Sequence, residues 1–255
     1  MKIAVLVKQV PGSESSLPIN DDHKWIDESV ASYIMNPPDN YALEEALILK
    51  EKLGGGEVVI LSKGPDRIKK VIREGLAKGA DRAIHLQDKN IITDPLAIAK
   101  SFSKVLKEEK FDLIFSGLQS DDTGMGQTGV LIGEMLGIST ATLAIQTELQ
   151  SDTIKVKREL ESGWFQWVTL PLPASISIQS GLNSPRYPSL KGIMGAKRKE
   201  IKVILESDHH SGEDRQSIDS IFIPKRDKKT EIIDGDLDNT VNRIIEILKS
   251  EIKVI

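Results

Sequence analysis

Cysteine is absent from all 255 residues, which excludes a disulfide framework, a thiolate zinc site, an iron–sulfur cluster and a cysteine nucleophile. Aromatic residues are nearly as scarce. The 3 Trp, 3 Tyr and 5 Phe amount to 4% of the chain, too few for a stacking platform that binds single-stranded nucleic acid. Neither sign of charge dominates: Lys and Arg number 34 against 38 Asp and Glu, a formal net charge of −4. No global field therefore draws the chain to nucleic acid or to an anionic membrane. Apolar runs are short as well, and none approaches the roughly 20 residues of a membrane span. The chain enters a strand-like stretch, Ile3–Val7, without a signal or transit pattern. The expected location is the cytoplasm, with an organellar form that has lost its targeting peptide as the alternative.

What is present is an alternation of short β-branched runs and amphipathic helical ones. Strands are expected at Ile3–Val7, Val58–Ser62, Arg82–Leu86 and Leu113–Ser116, and helices at Asp39–Leu53, Pro65–Lys78, Pro95–Glu108 and Gln127–Leu136. Local chemistry marks the boundaries. Pro37-Pro38 opens the first helix, Gly54-Gly55-Gly56 closes it, Asp94-Pro95 is an N-cap followed by proline, and Gly137 ends the fourth helix. The order implies an α/β fold with a doubly wound, mainly parallel, Rossmann-like sheet. After Ile138 four further strand-like runs follow, at Leu143–Leu149, Ile154–Leu160, Phe165–Leu170 and Ala174–Gln179. They are expected to extend the same sheet as antiparallel strands. The α/β domain is accordingly placed at 1–205 and a C-terminal arm at 206–255. The arm closes with an amphipathic helix, Leu237–Ile252, whose apolar residues need a surface to cover, either on this chain or on a partner.

The segment Gln119-Ser120-Asp121-Asp122-Thr123-Gly124-Met125-Gly126-Gln127-Thr128-Gly129 follows the fourth strand and runs into the helix expected at Gln127–Leu136, which includes Val130. Its glycines permit positive φ and close backbone approach, and a helix N-terminus offers free N–H groups to an anion. A phosphate-bearing ligand fits this pattern; a merely structural glycine turn is the alternative. Gly124, Gly126 and Gly129 also match G-x-G-x-x-G, with Glu148 downstream for a ribose contact. The context differs, because that fingerprint belongs immediately after the first strand. Asn36-Pro37-Pro38-Asp39 and Ser62-Lys63-Gly64-Pro65 occupy other strand and helix ends that could share one rim. Alone, each reads as a turn and a cap.

Hydrolytic signatures are missing: there is no G-x-x-x-x-G-K-[ST], no G-x-S-x-G and no H-E-x-x-H. His23 and His85 are isolated, and His209-His210 with Asp208 and Glu206 suggests at most an adventitious metal site. Asp121-Asp122 and Glu44-Glu45 read as a loop and a solvated helix face. No catalytic side chain and no metal ligand is expected. The stretch Leu182–Lys199 combines two prolines, exposed-type apolar residues and five basic ones. It reads as a docking loop with an apolar anchor such as Leu190, a solvated loop without a partner being the alternative.

Together these motifs resemble the beta subunits of electron transfer flavoproteins over nearly the whole length. Val5–Pro11 looks like that family's first strand, Met35-Asn36-Pro37-Pro38-Asp39 with Ala42–Ala46 like its N-P-x-x-x-x-A-x-E-E-A stretch, and Gly79-Ala80-Asp81-Arg82 like its G-A-D-R turn. Gln119–Gly129 is similar to its nucleotide loop, and Asn183–Lys199 to its N-x-P-R-Y…I-M-x-A-K recognition segment. The resemblance implies an electron-carrier subunit, not an enzyme with its own catalytic residues. Its partner would be a larger alpha subunit that holds most of an FAD. Electrons would come from flavoprotein dehydrogenases such as acyl-CoA dehydrogenases, as in fatty acid oxidation, and pass to an acceptor oxidoreductase.

AMP would be a structural cofactor, held by Leu6, Asn36, Pro37, Pro38, Asp39, Lys63 and residues 119–130. Docking would use Pro185, Arg186, Tyr187, Leu190, Ile193 and Met194, with Arg158 and Glu159 facing the mobile flavin domain of alpha. A bifurcating branch of the family carries a second FAD in place of AMP. Its acidic, Thr-containing loop is not apparent in Asp88–Ile98, which favours AMP. A domain that binds NAD or senses a nucleotide through Gly124–Gly129 is the alternative from another class.

Overall fold

A computed structural model describes residues 1–89, 93–205, 207, 214–225 and 230–254. Four apolar strands form the centre: β1 (Lys2–Leu6), β4 (Glu57–Gly64), β5 (Arg82–Gln87) and β6 (Leu113–Gly117). They are joined by a larger set, β7 (Ser139–Leu149), β8 (Thr153–Glu159), β9 (Phe165–Pro171), β10 (Ala174–Ile178) and β11 (Ile201–Leu205). The nine strands lie in the order β11-β5-β4-β1-β6-β10-β7-β8-β9. A small antiparallel pair, β2 (Gln9–Pro11) and β3 (Tyr33–Met35), stands apart.

Both faces of the sheet are covered, so its central strands are apolar on each side rather than alternating. On one face α1 (Pro37–Lys52) and α2 (Lys69–Lys78) bury Leu43, Leu47, Ile72 and Leu76 against Val5, Ile60 and Phe115. The other face carries α3 (Pro95–Glu109) and α4 (Thr128–Leu136), which bury Phe102, Leu106 and Ile132 against Ala4, Leu61 and Ile114. The expected caps act as read. Pro37 and Pro38 open α1, and the Asp94 carboxylate accepts the Leu96 N–H at 2.8 Å, one residue after Pro95. Gly137, at φ 64°, ends α4 in the left-handed conformation that glycine adopts without strain. The expected helix at Pro65–Lys78 divides into a 3₁₀ turn, Asp66–Ile68, followed by α2.

The strands after Ile138 depart from the expected arrangement. β10 is not antiparallel: it inserts between β6 and β7 and runs parallel to both. Among the described residues of this sheet, antiparallel pairing is confined to β7 with β8 and β8 with β9. β7 also begins four residues before the expected Leu143, because it pairs first with β10 and then, past a bulge, with β8. Leu143 has φ 60°, and the inward residues Ala141, Ala144 and Thr147 are spaced by three rather than two. That breaks the alternation by which a strand is recognised. β11 was not expected at all; it is an edge strand, parallel to β5.

Residues Met1–Ile221 form one compact unit, which contains all of these strands and α1–α4, and Phe222–Ile255 form a second. The second unit, which lies within the expected 206–255 arm, holds α6 (Leu237–Glu246), preceded in the chain by α5 (Leu190–Ala196) of the first unit. Leu237, Val241, Ile244 and Ile245 of α6 are exposed. No helix among the described residues is long and apolar enough to cross a membrane.

Candidate functional site

The strand order reverses at β1, between β4 and β6. In sheets of this kind a crevice opens there, beyond the carboxyl ends of the strands. The crevice is present and is lined by Leu6, Lys8, Lys63, Asn36, Asp39 and the loop after β6. Proline at the start of α1 brings Asn36 and Asp39 to this rim. The Asp39 carboxylate turns back and accepts the Lys8 N–H at 2.7 Å and the Gly117 N–H at 3.0 Å, joining the ends of β1 and β6. The Asn36 amide completes the seam. Its NH₂ donates to the Gln119 carbonyl at 3.0 Å, while its oxygen accepts the Asp121 N–H at 3.1 Å.

Asp39 is fully buried, and burial pushes its carboxyl up to about 7 even though the Lys8 and Gly117 N–H groups favour the ionised form. Gly117 has no room for a side chain here, since a Cβ would lie 2.4 Å from the Asp39 carboxylate and 2.7 Å from Pro38.

The loop itself is braced by Lys8, whose ammonium donates to Asp122 at 2.6 Å, Ser120 at 3.1 Å and Thr123 at 3.3 Å. Gly124 and Gly126 both take φ 63°. The chain then enters α4, where the first bond one turn back runs from the Leu131 N–H to the Gln127 carbonyl at 3.0 Å. The N–H groups of Thr128, Gly129 and Val130 precede that bond and are left for a ligand or solvent. Gly129 lets α4 sit close: a Cβ there would lie 2.7 Å from Ser116 Oγ and 2.8 Å from Ser177 Oγ.

Each cation along the crevice is matched by a carboxylate. Lys8 pairs with Asp122, and Lys63 pairs with Asp88 at 2.5 Å with both side chains almost wholly buried. Arg67 meets Glu28 at 3.1 Å and lies over the Tyr33 ring at 3.8 Å. Attraction for an anion therefore comes chiefly from backbone N–H groups and the positive end of α4 rather than from surplus cationic side chains. Leu6, Pro95, Ile98 and Phe102 supply an apolar wall. This combination fits a phosphate group attached to a flat, partly apolar body such as a nucleoside.

Of the residues expected to bind a nucleotide, Leu6, Asn36, Asp39, Lys63, Gln119, Ser120, Asp122, Thr123, Met125, Gly126, Gln127, Thr128 and Gly129 line this one crevice. Pro37, Pro38, Asp121, Gly124 and Val130 lie beside it and shape its backbone without forming the wall. Glu148, which the dinucleotide fingerprint would place on a ribose, lies instead on β7 opposite Lys155 of β8. Lys8, Asp88, Arg67 and Tyr33 were not anticipated at the site. For Lys8 the available signal was its place immediately after the apolar run of β1.

Glu44 and Glu45 overturn the expectation of a solvated helix face, since both are buried. Glu44 binds Arg186, while Glu45 accepts from the Thr147 hydroxyl and, at 3.2 Å, from the Asn183 amide. His85 is buried with its Nε2 2.8 Å from the Gly64 carbonyl. His209-His210, Glu206, Asp208 and residues 90–92 of the Asp88–Ile98 stretch lie outside the described residues. Among the described residues no group of three His, Cys, Asp or Glu could hold a metal ion.

The expected docking residues do not share this crevice. Tyr187, Leu190 and Met194 are 94%, 83% and 71% exposed, with Ile193 half-exposed beside them and Pro185 partly buried. Arg158 donates to the Thr142 carbonyl at 2.9 Å and to Gln166 at 3.0 Å, and Glu159 accepts from Gln179 at 3.4 Å, all at the far end of β8.

Comparison with known proteins bears on the same segments. The family model described as "Electron transfer flavoprotein domain" matches residues 24–209. The chain is 33% identical to the electron transfer flavoprotein subunit beta of Methylophilus methylotrophus, covering 97% of this chain and 98% of that one. It is 41% identical to the subunit beta of Bradyrhizobium diazoefficiens over 82% of this chain and 83% of the relative. The human subunit beta is 36% identical, with 82% of each chain covered.

Proposed function

The chain belongs to the electron transfer flavoprotein family as a beta subunit, and from that premise we propose that it pairs with an alpha subunit and binds AMP in the crevice between β1, β4 and β6. The observation that carries the nucleotide assignment is the row of free N–H groups at Thr128, Gly129 and Val130, opening beside an apolar wall and braced by Asn36 and Asp39. The phosphate would lie on these N–H groups, with the loop 119–127 around it and Lys63 at the rim. Leu6 would meet the nucleoside.

FAD, held mostly by the alpha subunit, supplies the redox chemistry, and the protein sets its position and the access of partners. This chain therefore needs no nucleophile and no acid–base pair. Its own share is to hold the nucleotide, complete one side of the flavin surroundings across the subunit boundary, and present residues 182–199 to flavoprotein dehydrogenases. Acyl-CoA dehydrogenases are the donor class proposed, with transfer onward to an acceptor oxidoreductase in the same compartment as the donor, the cytoplasm.

The test is to coexpress the chain with its alpha subunit, denature the purified complex and identify the released nucleotides by chromatography. One AMP and one FAD per heterodimer is the expected result. Two FAD would move the chain to the bifurcating branch, and NAD would overturn the assignment in favour of a dinucleotide-dependent domain.

A further inference from the structure

The segment from Ser184 to Lys199 holds large apolar side chains in water on a helix of only seven residues. A helix that short does not persist by itself, and within α5 only Ala196 is buried. Its order comes from contacts with the rest of the chain, and two sets of side-chain hydrogen bonds stand at the ends of the segment.

At the leading end, Arg186 is drawn down onto α1. Its guanidinium and backbone N–H donate four bonds of 2.9–3.2 Å to the Glu44 carboxylate and two further guanidinium bonds, of 2.5 and 3.2 Å, to Glu51. Glu44 is 6% exposed, so without Arg186 its charge would be buried and unpaired; that makes the pairing strongly directed. A planar guanidinium shared by two carboxylates also fixes orientation as well as distance. At the trailing end, Arg73 of α2 donates to the Ala196 carbonyl at 2.5 Å and the Lys199 carbonyl at 2.9 Å, closing the C-terminus of α5. Lys199 returns the contact, donating to the Leu76 carbonyl at 2.9 Å and to the Ala80 carbonyl at the end of α2. Between the two clamps α5 lies against α2 at Gly192, where a Cβ would come within 2.2 Å of the Ala77 carbonyl.

We propose that Glu44 and Arg73 are positioning residues for partner binding: they clamp the segment at both ends so that Tyr187, Leu190 and Met194 are held ready in water before a dehydrogenase arrives. Arg186 is then an internal anchor rather than a contact residue. Ordering a segment in advance removes that cost from association. Because α1 also carries Asn36 and Asp39 at its other end, the clamp refers the exposed side chains to the same rigid helix that shapes the nucleotide crevice. The inference rests on the reading of residues 182–199 as the docking segment.

The experiment uses the purified heterodimer carrying Glu44→Gln or Arg73→Gln. Hydrogen exchange across 184–196 is measured alongside flavin reduction by an acyl-CoA dehydrogenase with its substrate. Exchange in 184–196 is expected to rise at least tenfold, and the KM for the heterodimer as electron acceptor about tenfold, with kcat and released nucleotide unchanged. Arg186→Lys keeps the charge but not the fork and should fall between wild type and Glu44→Gln; it also carries the test if Glu44→Gln does not assemble. Unchanged exchange in the variants would overturn the clamp whatever the segment does. Faster exchange with an unchanged KM would instead overturn the docking reading, and the positioning role with it.

Discussion

Asp39 and Gly117, 78 residues apart in sequence, meet at 3.0 Å where the carboxylate of one accepts the backbone N–H of the other. The contact joins the first turn of α1 to the end of β6, and the second oxygen of the same carboxylate does likewise for β1 through Lys8. The rim of the crevice is thus closed by one buried acid whose ionisation is costly.

That acid makes stability depend on pH. The carboxyl of Asp39 is raised by burial from an ordinary 3.8 to about 7, so between those values the folded chain holds a proton that the unfolded chain releases. Its contribution is fully present below about pH 4 and is lost as pH rises through 7. Carbon-13 carboxyl titration should find one Asp titrating near neutrality. Urea unfolding of wild type and Asp39→Asn should show the difference between them shifting against wild type from pH 5 to pH 8, and flat behaviour would refute the assignment.

Gly129→Ala should destabilise the fold by about 1–3 kcal/mol, the usual range for overpacking, because the new methyl meets Ser116 Oγ and Ser177 Oγ. Removing both hydroxyls, by Ser116→Ala and Ser177→Ala in the same chain, should restore most of the loss. Urea midpoints check both steps, and released-nucleotide analysis should show the loss and return of bound AMP in parallel.

Lys63 and Asp88 form a buried ion pair, 6% and 1% exposed at their side chains. Removing Asp88 takes the carboxylate partner from the buried Lys63 ammonium, at a cost of about 3–5 kcal/mol. Asp88→Ala should therefore be far less stable than wild type, whereas the double variant Lys63→Met, Asp88→Leu should recover much of the difference. A double variant no better than Asp88→Ala, by chemical denaturation, would count against the pairing.

Leu190 is 83% exposed at the start of α5, and its truncation should leave stability within about 0.5 kcal/mol of wild type. Reduction of the heterodimer's flavin by an acyl-CoA dehydrogenase should nevertheless slow, with nucleotide content intact. A loss of thermal stability comparable to a core truncation would show that Leu190 is structural.

Much of this was legible along the chain. Strands β1, β4, β5 and β6 and helices α1–α4 stand close to where periodicity and capping put them, whereas the short pair β2 and β3 was not expected; Asn36, Lys63 and the loop after β6 line one crevice. The misread elements have a common cause. β7 hides its first half because a bulge at Leu143 replaces an alternation of two with a spacing of three. β10 reads as one more strand in a series, and nothing in its five residues reveals that it slots in parallel between β6 and β7. Glu44 and Glu45 carry the chemistry of a solvated face, and only Arg186, Asn183 and Thr147, more than a hundred residues downstream, make their burial tolerable.

Cysteine scarcity, the helix caps, the glycine loop and the α/β alternation act over a few residues or none, so one dimension holds them in full. Those features were enough to exclude most chemistries and to indicate the fold class. Which charges are buried, how the cations are paired and how the segment 184–199 is held depend on groups that the fold brings together across 31, 78 or 142 positions. Desolvation sets the energy of each such pair, and desolvation exists only once the chain has closed around it.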